Sequence, residues 1–115
     1  MAAREYSKVE IGRGKAMAID FRTQSIGIPK GTGQRIIRGS VTFGSRVNRA
    51  AVALNGYKLD YITDDHHINI VEVATDFLSI DGNTVNFHVV CTYADRNFDD
   101  PYAGYITVLV TADVT

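Results

Sequence analysis

The chain has 115 residues, enough for one domain and too few for a second independent core. Its 45% hydrophobic and 22% charged content is that of a globular protein, and its net charge of −1 argues against nucleic-acid binding, which requires a basic excess or stripe. No apolar run approaches the roughly 18 residues of a membrane-spanning helix, and one cysteine, Cys91, forms no internal disulfide.

The start, Met1 to Lys8, is charged and has no apolar signal-peptide segment, so cytoplasmic synthesis is expected, with later release or a place in a virion left open. Val9–Ile11 and Ala16–Phe21 read as short additions at a sheet edge. Residues 22–35, Arg22 to Arg35, read as the main irregular stretch, within an N-terminal segment (1–35) that is partly irregular. From Ile36 to Phe43, Ile37, Val41 and Phe43 oppose Arg38, Ser40 and Thr42, the period-two alternation of a strand with two unlike faces. Ala51–Leu54 and Tyr57–Ile62 form two further strand segments. Asn55-Gly56 between them suits either a tight turn or a bulge within one longer strand.

Ile68–Phe77 is rich in β-branched residues, and its apolar phase slips between Ile70 and Val71, which predicts a bulge there. Asp81-Gly82-Asn83 predicts a hairpin turn. After it, Val85, Phe87, Val89, Cys91 and Tyr93 share one face of a strand. A polar loop, Ala94–Gly104, leads to a last strand in which Ile106, Val108, Val110 and Ala112 alternate with Tyr105, Thr107, Leu109 and Thr111. Sustained helical periodicity is absent. Short strands at regular spacing with turn signals predict an all-β, antiparallel, six-stranded sandwich in a single domain, 1–115.

Chemistry is sparse. Gly12-Arg13-Gly14-Lys15 and Gly31-Thr32-Gly33 lack the spacing of a P-loop or dinucleotide fingerprint and read as turns. Asp64-Asp65-His66-His67 reads as a solvated turn, because adjacent histidines on a strand point to opposite faces. Asp95, Asn97, Asp99 and Asp100 lack the alternating spacing and terminal Glu of a calcium loop. Cys91 falls on an apolar strand face as an inert thiol, and no nucleophile elbow occurs. No metal, cofactor or catalytic residue is expected. Tyr93 and Tyr102 bracket the second loop, with Asp95, Arg96 and Asp99 between them. Such rings present a flat apolar face to the C–H face of a sugar, while Asp and Arg orient hydroxyls through charged hydrogen bonds. The alternative is that the tyrosines pack the sandwich rim and the charges solubilise the loop.

The order of these segments resembles the H-type lectin domain of the snail agglutinins over about residues 38–112. Ser40-Val41-Thr42-Phe43 is similar to the family's first well-marked strand. Ala51 to Asp60 is similar to the next, with alanines where the family has prolines. Ile68–Phe77 and Gly82–Phe87 resemble the following strand and its turn-and-strand, and Cys91-Thr92-Tyr93 and Tyr105–Ala112 the last two strands. The resemblance implies an antiparallel sandwich assembled as a trimer or two stacked trimers, recognising sugars such as N-acetylgalactosamine at clefts between protomers. The family's aromatic–histidine pair matches Ala94 and Asp95, with Arg96 following. Its ligand-holding arginine matches Asn69, and its aspartate has no counterpart near Gly31–Gly33. The family's sugar site is therefore not reproduced.

These readings converge on a non-enzymatic carbohydrate-binding module acting as a homotrimer or hexamer. Its expected ligand-binding residues are Tyr93, Asp95, Arg96, Tyr102 and Asn69. The alternative is a structural or receptor-binding subunit of a phage tail or spike. An enzyme acting on carbohydrate ranks last.

Overall fold

The computed structural model describes residues 5–11, 15–62 and 67–115. Seven strands follow one another: β1 (Glu5–Ile11), β2 (Lys15–Gly31), β3 (Arg35–Thr42), β4 (Val47–Tyr61), β5 (Ile70–Asp81), β6 (Thr84–Ala94) and β7 (Tyr102–Val114). They form two antiparallel sheets, ordered β1-β2-β7-β4 and β3-β6-β5, packed as a sandwich. No helix occurs among the described residues.

The central strands β7 and β6 carry the core because their alternation is cleanest. Ile106, Val108, Val110 and Ala112 of β7 face Val85, Phe87, Val89 and Cys91 of β6, all essentially without solvent access. Burying each such side chain contributes roughly 1.5–3 kcal/mol relative to leaving it in water. Gly39 of β3 lies opposite Phe87, and a Cβ there would overlap the Phe87 ring and the Ile26 side chain. The glycine therefore lets a large ring fill the space between the sheets. The thiol of Cys91 is buried among these groups, and burial raises its pKa.

The six segments read as strands fall on strands, except that Phe43, Ile62, Ile68 and Asn69 lie just beyond the ends of β3, β4 and β5. Ala51–Leu54 and Tyr57–Ile62 belong to a single strand, β4, with Asn55 as the extra residue of a bulge between Leu54 and Gly56. Two expectations are corrected. Residues 22–35 are not mainly irregular, since β2 runs through to Gly31 and pairs with β7 from Ala18 onward. Ile26 and Ile28 alone mark its buried face in apolar residues, because Asp20, Arg22 and Gln24 occupy the same face further back. The Arg22 guanidinium lies 5.4 Å over the Phe43 ring, which makes a polar residue useful there. The second correction concerns β5, whose bulge falls between Phe77 and Ser79. Ile70 and Val71 pair regularly with Ala94 and Tyr93. The apolar phase slips because Ile70 and Val71 are both exposed, so burial does not pattern this end of β5. Gly12–Gly14 and most of Asp64–His67 lie outside the described residues; His67 itself is exposed.

The body measures 60 × 22 × 22 Å. Its long axis follows from the 17-residue β2, which spans about 56 Å at 3.3 Å per residue.

Tyr102, the first residue of β7, is fully buried. Its hydroxyl donates to the Gly33 carbonyl at 2.7 Å, with the Cys91 carbonyl at 3.2 Å as a second acceptor and the Cys91 sulfur 3.6 Å away. Burial, reinforced by the Cys91 contact, raises its pKa well above the ordinary 10.0. The phenol is thus neutral in the fold, and its contribution is complete below the ordinary tyrosine pKa. That contribution is lost as pH rises above it, since the unfolded chain then releases the proton more readily. Urea denaturation of Tyr102→Phe should show a loss of about 1–3 kcal/mol at neutral pH, and a shallower alkaline decline than wild type. Gly104, opposite Leu59, leaves no room for a Cβ beside the Lys58 carbonyl. Gly104→Ala should lower the denaturation midpoint by an amount equivalent to about 1–3 kcal/mol, the usual cost of overpacking.

Candidate functional site

The end of the sandwich where β4 and β6 finish and β5 and β7 begin gathers most of the expected site. The connection 95–101 is built by its own first residue. Asp95 Oδ1 accepts hydrogen bonds from the backbone N–H groups of Asn97 and Phe98, each at 3.0 Å. This Asx turn holds the chain in a tight reversal. Phe98, in the same turn, takes φ 59°, a left-handed conformation uncommon for a bulky side chain. The Phe98 ring is nonetheless 43% exposed, so packing against the core does not explain its placement.

Two backbone bonds tie the loop to its neighbours: Ile62 N–H donates to the Pro101 carbonyl at 3.0 Å, and Asn69 N–H to the Ala94 carbonyl at 2.8 Å. Beneath them, three phenol rings stack from rim to core. Tyr61 and Tyr93 are half-buried, with centroids 4.7 Å apart and planes tilted by 47°. Tyr93 meets Tyr102 nearly edge-on at 6.0 Å. The Tyr61 hydroxyl donates to the His67 carbonyl at 3.1 Å. Burial raises the pKa of Tyr61, and the charges of Asp95 and Asp100 add to the effect. Tyr93 is raised by burial first and by Asp60 second. Both phenols stay neutral donors at physiological pH.

Carboxylate oxygens of Asp95, Asp99 and Asp100 lie within 4.8 Å of one another, and Arg96 is exposed on the same turn. Oxygen ligands of this kind suit a hard cation such as calcium. Three carboxylates would leave half or more of its six to eight positions to other oxygens, and Asp95 already spends one oxygen on the turn.

Of the expected residues, Tyr93, Asp95, Arg96 and Asn69 come together at this end. Tyr102 does not join them as a ligand contact: it is buried below Tyr93 and serves as a strut, because its hydroxyl is needed between strands. Sequence reasoning passed over Phe98 and Tyr61. Phe98 was visible as an aromatic among polar residues, Asp95-Arg96-Asn97-Phe98-Asp99-Asp100. Tyr61 became evident only once β4 placed it against Tyr93. A cavity of about 510 Å³ at the opposite end is lined by Ser45, Arg46, Val47, Ile80, Gly82 and Asn83. It contains no aromatic face, and the main-chain groups of Gly82 and Asn83 already bond Val47 and Phe43. The loop end therefore offers the richer recognition chemistry.

No family model, curated protein or solved structure matches the chain.

Asp95→Ala should release the turn, seen as loss of hydrogen-exchange protection at the Asn97 and Phe98 amides. Asp95→Asn should keep it, because the remaining side-chain oxygen still accepts both bonds. Equal exchange in the two variants would show that Asp95 does not hold the turn.

Proposed function

We propose that the chain is a non-enzymatic carbohydrate-binding module of the H-type lectin kind, acting multivalently as a trimer or hexamer. One observation carries this reading: one loop, whose turn Asp95 holds, carries the exposed Phe98, Arg96 and the clustered carboxylates of Asp95, Asp99 and Asp100, at the end of the sandwich where Tyr61 and Tyr93 meet. Apolar ring faces receive the C–H face of a pyranose, and carboxylates and guanidinium fix its hydroxyls through charge-assisted hydrogen bonds. The likeness over residues 38–112 to the H-type lectin pattern supports the same reading. Ala94 and Asp95 stand at the family's aromatic–histidine pair, so the glycan read here differs from that of the snail agglutinins. Three carboxylates against one arginine favour a neutral saccharide over a sialylated or sulfated one. A shallow site binds one sugar weakly, and several copies on one particle raise avidity by orders of magnitude.

A second reading, a structural or receptor-binding subunit of a tail or spike, is favoured by the elongated 60 Å body. A glycan array probed with the assembled protein separates the two. Retention of at least one neutral glycan is expected. Arg96→Ala and Phe98→Ala should each weaken it roughly tenfold or more, about 1.4 kcal/mol, without changing the oligomer. A blank array from folded, assembled protein would remove the carbohydrate role and leave the structural one.

A further inference from the structure

The bulge in β5 borders a cavity on the outer face of the β3-β6-β5 sheet. Phe87 is fully buried and Gly39 lies opposite it, so their chain neighbours Arg38, Ser40, Asn86 and His88 point away from the core. Arg38 of β3 and Asp76 of β5 flank His88, and Ser40 stands opposite Asn86. Leu78 is the residue that the bulge leaves without a partner, between Phe77 and Ser79. The cavity, about 220 Å³, is lined by Arg38, Gly39, Ser40, Leu78, Asn86 and Phe87. Bulges re-aim side chains, and this one brings an apolar group beside three polar ones.

Among the described residues, Arg38 and Ser40 have no hydrogen-bond or ion-pair partner. A guanidinium presents its donors in a planar fork that matches a carboxylate. Asn86 Nδ2 donates to Ser79 Oγ at 3.2 Å, which leaves the Asn86 side-chain oxygen to accept. A ligand must therefore bring a donor of its own, such as a hydroxyl. Leu78, 37% exposed, offers an apolar wall to C–H groups. The cavity is smaller than the roughly 300–1,000 Å³ of pockets for drug-sized ligands, so it suits one small unit. We infer that it is a second binding site, for a small hydroxylated carboxylate of the sugar-acid class. Arg38 takes the carboxylate, Asn86 and Ser40 take hydroxyls, and Leu78 covers the C–H face.

Asn86 lies about 26 Å along β6 from Ala94, where the 95–101 loop begins. The site is thus separate from the loop and does not rest on the function proposed for it. Charge limits the ligand to a single carboxylate. His88 Nε2 lies 2.8 Å from Asp76 Oδ2. An ionised carboxylate only accepts, so this nitrogen carries a proton whatever the charge of the ring. With a neutral imidazole, Asp76 offsets Arg38; with a protonated one, the Arg38–His88–Asp76 row is net positive. Imidazoles gain that charge between about pH 8 and 5. Glu72 and Asp81 of β5 face the same side, opposite Thr92 and Thr84. Each is roughly 13 Å along the sheet from the His88 row, beyond the roughly 8 Å screening length at physiological salt. A monoanion is therefore held better than a dianion, and more tightly as pH falls.

Amide chemical-shift titrations of the full chain at constant ionic strength test the assignment. Sodium glucuronate is the probe, with glucose as its uncharged counterpart and sodium acetate as its ringless one. Glucuronate is expected to move the Arg38, Ser40, Leu78 and Asn86 resonances to saturation, and glucose and acetate to bind at least tenfold more weakly. Arg38→Gln should weaken glucuronate tenfold or more with an unchanged circular dichroism spectrum. Lys58→Gln, the same loss of charge on the other sheet, should leave its binding unchanged. From pH 8 to 5.5 glucuronate should bind wild type more tightly and His88→Gln with little change. The site would be overturned if glucuronate left these resonances still, bound Arg38→Gln as well as wild type, or was matched by glucose or acetate. Shifts confined to residues 96–98 would overturn it too, placing the sugar acid at the loop. Wild-type binding independent of pH would overturn the part given to His88.

Discussion

One buried phenol organises the end of the sandwich that carries the 95–101 loop. Tyr102 opens β7, the strand on which both edges of its sheet depend, and its hydroxyl reaches the turn before β3 and the backbone of β6. A polar group so deep in the core is tolerated only because its proton is used and its charge suppressed. Its ring then supports Tyr93, and Tyr93 supports Tyr61 at the rim. The exposed surface is thus continuous with the core through stacked rings.

That continuity explains how a short loop can be held at a strained angle. The turn at 95–98 depends on Asp95 for its hydrogen bonds, and its flanks are tied to β4 and to the start of β5 by backbone bonds. Pre-organisation of this sort lowers the entropy lost on binding, which matters most for a ligand that makes few contacts. Ile26, Ile28 and Val41 are buried where β2 and β3 meet, while Leu54, Tyr57 and Phe77 of β4 and β5 stay exposed.

Period-two alternation made β3, β6 and β7 legible, because in each one face is consistently more buried than the other. It failed for β2, where Asp20, Arg22 and Gln24 interrupt the buried face and only Ile26 and Ile28 signal it. The bulge in β5 was misplaced because alternation reports burial, and Ile70 and Val71, both apolar, are both exposed. At the site, the polar loop and its acidic residues stood out as a cluster. Tyr102 was misread because an aromatic at a loop boundary looks alike whether it points out as a platform or in as a strut. Phe98 stood out only as an aromatic among polar residues; its positive φ belongs to the backbone and is not written in residue type.

The proposed carbohydrate role depends on a sugar lying against the 95–101 loop, and amide chemical shifts of the assembled protein test that most directly. Titration with a neutral glycan retained on the array is expected to move the resonances of Arg96, Asn97 and Phe98 and of residues beside Tyr61 and Tyr93. Those around Gly82 and Asn83 should stay still. Shifts confined to the Gly82–Asn83 end, or none in the loop at saturation, would contradict the account.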